Sequence, residues 1–364
     1  MQIDFHHGVT YTVARLAGFA HRDAETIAYC SQYVDDATNS GTIRFDNGAM
    51  YSRISSAHKM LDYRNFDELA NHFVWIPFHF LPGNGGKRRG ENPAGSFIEK
   101  IICRPNSYVA QDMIRACILD RQALYGLHRL GITMHVYADT WAHQGFAGVV
   151  HKVNNIRELD DQDQPNIGFW GKLKDFFGDA FDERAGKFVG DALPLGHGAA
   201  LSLPDRPYLQ WHYEDSHGNV VRRDNTSDFS EAADEMCKAM QRYQVGNPDA
   251  KVPGLPVSER DKITDLLGSI TDEDGNDRHR KWLEAIHAGH FSFPPVKLGY
   301  QPKGVGSWKY QTLETRKIKD KKGDIFPYNP SFLSSDWKMF HDAIQAHRLT
   351  VIRHILPLYG ICAA

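Results

Sequence analysis

Cysteine is scarce and scattered: Cys30, Cys103, Cys117, Cys237 and Cys362 are odd in number and include no Cys-x-x-Cys pair. That leaves no basis for a disulfide framework or a cysteine zinc site. Long apolar runs are missing too, and no stretch reaches the roughly 18 residues a membrane span requires. There is no excess of positive charge. Lys and Arg total 42 against 45 Asp and Glu, a net charge of −3, so no bulk basic field draws nucleic acid or an anionic membrane. The opening MQIDFHHGVT has neither a basic nor an apolar leader region, so no secretory signal is expected and the cytoplasm is the default location. What the chain does have is histidine, 19 copies in 364 residues. That count matters only where histidines gather with carboxylates.

Helical periodicity is the main structural signal. Val9, Val13, Leu16 and Ala17 share a face, and Ala24, Ile27 and Ala28 continue it after Gly18, predicting helix over 8–35. Residues 36–50 are turn-rich and read as a loop. A helix is expected near 64–72. The aromatic, proline-bearing run 73–82 is expected to be buried and irregular, and 83–95 to be a flexible loop. The strongest helix spans 106–152, with Gly126 and Gly131 marking a break or a close approach. A loop-rich stretch covers 153–206 with an amphipathic piece near 169–182. Helices follow at 229–244, capped by Ser227 and Asp228, and within 255–290. Residues 291–335, with their KIKDKKGD cluster, read as a solvated loop, and a last helix runs over 336–358. No repeat or linker divides the chain. The expectation is an all-α, multi-helix single domain, 1–364, with a helical core over about 1–290 and long loops walling a site.

The chemistry sits in GITMHVYADTWAHQGF. His135, Asp139 and His143 stand at i, i+4 and i+8, so on a helix they drift by only about 80° over two turns and face one cavity. The surrounding Met134, Val136, Tyr137, Trp141 and Phe146 demand burial, and buried titratable groups in register need a partner. Imidazole with carboxylate suits Zn²⁺, and also Fe or Mn. One helix supplies too few ligands, so the others come from Asp4, His6 and His7, from Asp35 and Asp36, from His79 in its apolar run, and from His197 and Asp205, with His197 between two glycines. For each of these alone the alternative is a hydrogen-bonded core histidine or a capping aspartate.

This order of residues resembles the superfamily of zinc-dependent phospholipases C and single-strand zinc nucleases. His79-Phe80 is similar to its His-aromatic motif and His135/Asp139 to its His-x-x-x-Asp motif. The resemblance implies an all-helical fold, two or three zinc ions, Asp139 as a bridging carboxylate and His143 on a separate ion. The DTWAH gap resembles the shorter form in diverged bacterial members. Secreted members also ligate through a mature N-terminal tryptophan. Here Asp4 is expected to replace it, with His6 or His7 beside it. The later His-x-x-x-Glu pair has no plain counterpart, and His197 with Asp205, or His212 with Glu214, stands in. The chain as a whole also resembles a bacterial family with DFH-like openings and a SQYVDD segment, to which no activity attaches.

A cluster of this kind suits phosphoester hydrolysis on a small or lipid-like substrate, with Asp35 or Asp36 activating water. Lys87 and Arg88, or Arg222 and Arg223, are candidate phosphate donors, and Trp141 and Tyr213 candidate pocket walls. Two other readings stand beside it: a di-iron or mixed-metal oxygen enzyme, and a non-catalytic metal-stabilised binding protein.

Overall fold

The computed structural model describes residues 1–58, 68–161, 195–321 and 323–362. The amphipathic piece expected near 169–182, and residues 64–67 of the helix expected near 64–72, lie outside them, while 68–72 are helical. The chain opens with a π-helical turn, Asp4–Val9, running into α1 (Thr10–Leu16). Gly18 breaks the helix with φ +100°, and α2 (His21–Asp36) follows.

The all-α expectation is corrected here: the molecule is helix-rich but carries two three-stranded sheets. Residues 36–50 are not merely loop. β1 (Gly41–Phe45) and β2 (Met50–Arg53) pair antiparallel around Asp46-Asn47-Gly48. Ile43 and Phe45 turn inward at the two-residue period of a half-buried strand. The run 73–82, expected to be irregular, is largely helical: α3 (Glu68–Phe78) carries Pro77 in its last turn. Pro77 has no N–H to give the carbonyl four residues earlier, and the helix stops one residue beyond it. His347 Nε2 donates to the Pro77 carbonyl at 3.0 Å, which pins the end of α3 just before His79.

The short α4 (Ile98–Ile101) precedes α5 (Tyr108–Leu119) and α6 (Gly126–Ala142). The single helix expected over 106–152 is thus two, interrupted across 120–125. Gly131 allows α6 to lie directly on α2, since a Cβ there would collide with the Ile27 carbonyl and Cys30 Cβ. α6 is almost entirely buried and is the central strut of the fold. The second sheet has β3 (Arg157–Asp161) beside β4 (Gln210–Glu214) and β5 (Val220–Asp224), all antiparallel. Trp211 and Tyr213 alternate inward from β4.

α7 (Asn225–Val245) packs against α6 and is capped by Asp224 rather than Ser227, with Gly246 ending it at φ +75°. α8 (Val257–Ser269) and α9 (Gly275–His287) follow. Residues 291–335 are less open than their charge implied. They hold α10 (Trp308–Leu313) and β6 (Ile325–Phe326), which joins β1 in parallel. Asp320 of the KIKDKKGD cluster pairs with both Arg53 and Lys309. α11 (Asp336–Leu349) runs on through a π-helical turn to Ile355. No helix among the described residues is long and apolar enough to cross a membrane.

Candidate metal centre

Asp139, 1% exposed in the last turn of α6, is the hub of a buried cluster. Its Oδ2 lies 3.3 Å from His135 Nε2, one helical turn earlier, and 3.4 Å from His79 Nδ1, just past α3. His135 Nε2 and His79 Nδ1 are themselves 3.3 Å apart. The three atoms form a nearly equilateral triangle. Ligands about 2.0–2.1 Å from a tetrahedral ion stand about 3.3–3.4 Å from one another, so this triangle has the edge length of such a site. Asp35 Oδ1, from the last turn of α2, lies 3.8 Å from both imidazole nitrogens and completes a fourth corner.

The other carboxylate oxygen of Asp139 faces a different set. Asp139 Oδ1 is 3.2 Å from His6 Nε2 and 2.8 Å from the Met1 amino group, which is also 3.0 Å from Asp205 Oδ1. Beyond Asp205 lie His143 Nε2 at 3.6 Å and His197 Nε2 at 3.5 Å. Three groups therefore have the composition and spacing to hold an ion: His79/His135/Asp139, His6/Asp35/His135 and His143/His197/Asp205. Asp139 touches both sides of the cluster, the position of a bridging carboxylate.

The far side of three imidazoles is fixed by backbone carbonyls. His79 Nε2 donates to Ser56 at 2.9 Å, His143 Nδ1 to His79 at 2.7 Å and His197 Nδ1 to Leu201 at 2.9 Å. Each bond forces the tautomer whose inward nitrogen carries a lone pair, as a metal ligand requires. Gly196 lets the His197 segment approach: it has φ +56°, and a Cβ on it would enter the Phe80 ring. Phe80 stacks on His143 at 4.5 Å between centroids. Meanwhile Nδ1 of His6 and Nδ1 of His135 are buried without a hydrogen bond. Unpaired groups of this kind cost free energy unless something binds them.

The electrostatics point the same way. Burial holds His6, His135 and His197 neutral, each lowered to about 4. Burial also works against the charged forms of Asp139 and Asp205. It is overcome by His143, the Met1 ammonium and the neighbouring histidines, which hold both carboxyls well below the usual range. Burial lowers the Met1 ammonium, and Asp139 and Asp205 outweigh that to raise it to about 11. His6, His135 and His197 are thus neutral beside ionised Asp139 and Asp205, the protonation state in which both types ligate. At His79, by contrast, burial is outweighed by Asp139 and Asp35, which raise it, and burial raises Asp35.

Of the residues singled out from the sequence, the fold brings His6, Asp35, His79, His135, Asp139, His143, His197 and Asp205 together. Others go elsewhere. Asp4 bonds Arg278 at 2.6 Å, away from the cluster, and the Met1 amino group pairs with Asp139 and Asp205. His7 pairs with His279 at 2.9 Å, so the ligand-facing histidine of the two is His6. Asp36 accepts from Tyr300 at 2.7 Å. His212 and Glu214 lie along β4, and it is His197 that reaches Asp205. Lys87 is exposed, Arg222 is exposed, and Arg88 is spread over Tyr108 at 5.1 Å.

Trp141 and Tyr213 are core rather than pocket wall. Trp141 meets Tyr137 edge to face, and Tyr213 stacks on Phe146. Arg223 is buried, bonds Asp228 at 3.0 Å and donates to the Trp141 carbonyl at 2.8 Å, so it caps the end of α6 beside His143. Charged hydrogen bonds of this type are worth about 1.5–3 kcal/mol. Urea denaturation of Arg223→Met is therefore expected to show a loss of about 2–3 kcal/mol, while the exposed Arg222→Met stays within about 0.5 kcal/mol of wild type.

Over residues 1–355 the chain matches, and belongs to, the family described as "Family of unknown function (DUF6765)". No curated protein and no solved structure matches it.

Proposed function

We propose that the chain is a metal-dependent hydrolase of phosphoesters or phosphodiesters, related to the zinc phospholipase C and zinc nuclease superfamily. The observation that carries the reading is the triangle of His79 Nδ1, His135 Nε2 and Asp139 Oδ2, with edges of 3.3–3.4 Å. His79, His135, Asp139 and Asp35 would hold one ion, and His143, His197 and Asp205 another. Asp139 joins the first of these to His6, beside which a third ion would lie. The donors are nitrogen and oxygen only, which suits Zn²⁺ and admits Fe or Mn. Bound divalent ions supply Lewis-acid chemistry, making water more acidic and offsetting phosphoryl charge.

The remaining work falls to the chain's own groups. Asp35 is 34% exposed, whereas Asp139 and His135 are sealed, so water and substrate reach the cluster at Asp35. Its carboxylate orients the attacking water and takes its proton. The carbonyl bonds on His79, His143 and His197 hold their rings in place through turnover. A small or lipid-like phosphoester fits this reading, and the five unpaired cysteines accord with a cytoplasmic setting.

The test is metal analysis of purified protein, followed by a panel of phosphomonoesters and phosphodiesters. Bound zinc, iron or manganese with hydrolysis that a chelator abolishes supports the proposal. A metal-free, inactive wild type after growth with all three metals overturns it. Oxygen-dependent chemistry without hydrolysis would instead favour the mixed-metal oxygenase reading.

A further inference from the structure

The π-helical turn that carries His6 is gripped along its opposite side by one distant helix. Gln2, Asp4, His7, Gly8 and Thr12 all meet α9. Arg278 Nε donates to Asp4 Oδ2 at 2.6 Å, and its Nη2 donates to Gln2 Oε1 at 2.6 Å. A third arm of the guanidinium reaches the Asp272 and Glu273 carbonyls at 2.7 and 2.9 Å. His279 Nε2 shares a hydrogen bond with His7 Nδ1 at 2.9 Å. Trp282 fills the notch over Gly8, where a Cβ would strike its ring, and its Nε1 donates to Thr12 at 3.2 Å.

His6 has no hydrogen bond behind it at Nδ1, and its Nε2 meets only Asp139 Oδ1, at 3.2 Å. It stacks on His135 with centroids 3.8 Å apart and is aimed at Asp139 only by the backbone that bears it. Three of the other cluster histidines differ, since His79, His143 and His197 each have a carbonyl behind them; His135 Nδ1 also lacks a partner, but that ring is carried on the buried α6. Ligand imidazoles ordinarily owe their orientation to such a partner. For His6 the equivalent restraint is on its neighbours, Asp4 and His7.

We infer that α9, through Arg278 and His279, is the positioning element for the ion held beside His6, and that these two residues set the affinity of that ion without touching it. The inference rests on the metal-site reading above. It predicts selectivity: loosening the clamp frees one ion while those at His79/His135/Asp139 and His143/His197 remain.

The experiment uses full-length protein loaded with Zn²⁺, and separately with Co²⁺, then equilibrated against graded chelator, with metal counted by mass spectrometry. Three variants are compared: His6→Ala as reference, His279→Phe, which removes one hydrogen bond without stranding a charge, and the pair Asp4→Leu with Arg278→Met, which removes both members of the buried ion pair. Wild type is expected to release its ions over a common range. Both clamp variants are expected to release one ion at least tenfold more readily and to reproduce the cobalt absorption spectrum of His6→Ala. Arg278→Lys, which keeps the charge toward Asp4, is expected to recover part of the loss. If the clamp variants hold every ion as tightly as wild type, or lose all of them together, the inference fails. If wild type itself takes up no metal, it is the underlying metal-site reading that fails.

Discussion

Asp139→Asn is expected to strip the cluster of at least two ions per chain and to lower phosphoesterase kcat/KM by more than about a thousandfold. The reason is the number of partners that converge on this carboxylate. One oxygen faces His79 and His135 at 3.4 and 3.3 Å, and the other faces His6 and the Met1 amine at 3.2 and 2.8 Å. An amide keeps the shape but removes the charge, and its NH₂ can replace only one of the two oxygens. Whichever way it turns, one set of imidazoles meets a donor in place of an acceptor. Even partners behind a ligand change affinity by about 10–100-fold, so loss of a shared ligand should exceed that. His135→Ala should remove one ion and leave the His143/His197/Asp205 set loaded. Metal counting on both variants, with circular dichroism to verify the fold, separates ligand loss from unfolding.

Removing metal is expected to make the protein acid-labile in a defined window. His6, His135 and His197 are lowered to about 4 in the folded metal-free protein, against 6.5 for an ordinary imidazole. At these three groups the unfolded chain binds more protons than the folded one between those values, while His79, raised chiefly by Asp139 and Asp35 against burial, works in the opposite direction. Stability therefore rises with pH there, and is lost as pH falls from about 6.5 toward 4. A shift of this size corresponds to about 3 kcal/mol per group. His341 and His347, away from the cluster and lowered to about 3, add to the same trend with or without metal.

Bound ions compete with protons for the ligands, and saturation at 1,000 times Kd adds about 4 kcal/mol per site. Metal-saturated protein should therefore unfold at a lower pH than chelated protein, by about one pH unit. Fluorescence-monitored acid titrations with and without chelator measure this directly. Identical midpoints would mean that no ion stabilises the fold.

How much of this was legible in the sequence differs from residue to residue. The His135–Asp139–His143 register could be read because a helix of 3.6 residues per turn makes spacing equivalent to direction. His79 and His197 were legible as anomalies, a histidine in an apolar run and one flanked by glycines. Their partners were not, because Ser56 and Leu201 contribute only carbonyl oxygens, which every residue has. Asp4 and His7 misled for a related reason. They look like ligands beside His6, but their partners are Arg278 and His279, more than 270 positions away, and no local pattern connects them. The strands were missed for a different cause. TIRF and QWHYE do alternate at period two, and Asp46-Asn47-Gly48 is a hairpin signal, but both runs are short and sit among polar loop residues. The glycines within 106–152 were legible: the chain breaks just before Gly126, whose Cβ would run into the Arg121 carbonyl, and Gly131 marks the close approach to α2.

The most direct test of the central claim is anomalous X-ray diffraction from crystals grown with Zn²⁺, recorded on both sides of the zinc absorption edge. A peak is expected about 2.0–2.1 Å from His79 Nδ1, His135 Nε2 and Asp139 Oδ2 together, with further peaks beside His143/His197/Asp205 and beside His6. Absence of any anomalous peak within ligand distance of Asp139, in protein that retains the triangle of donors, would contradict it.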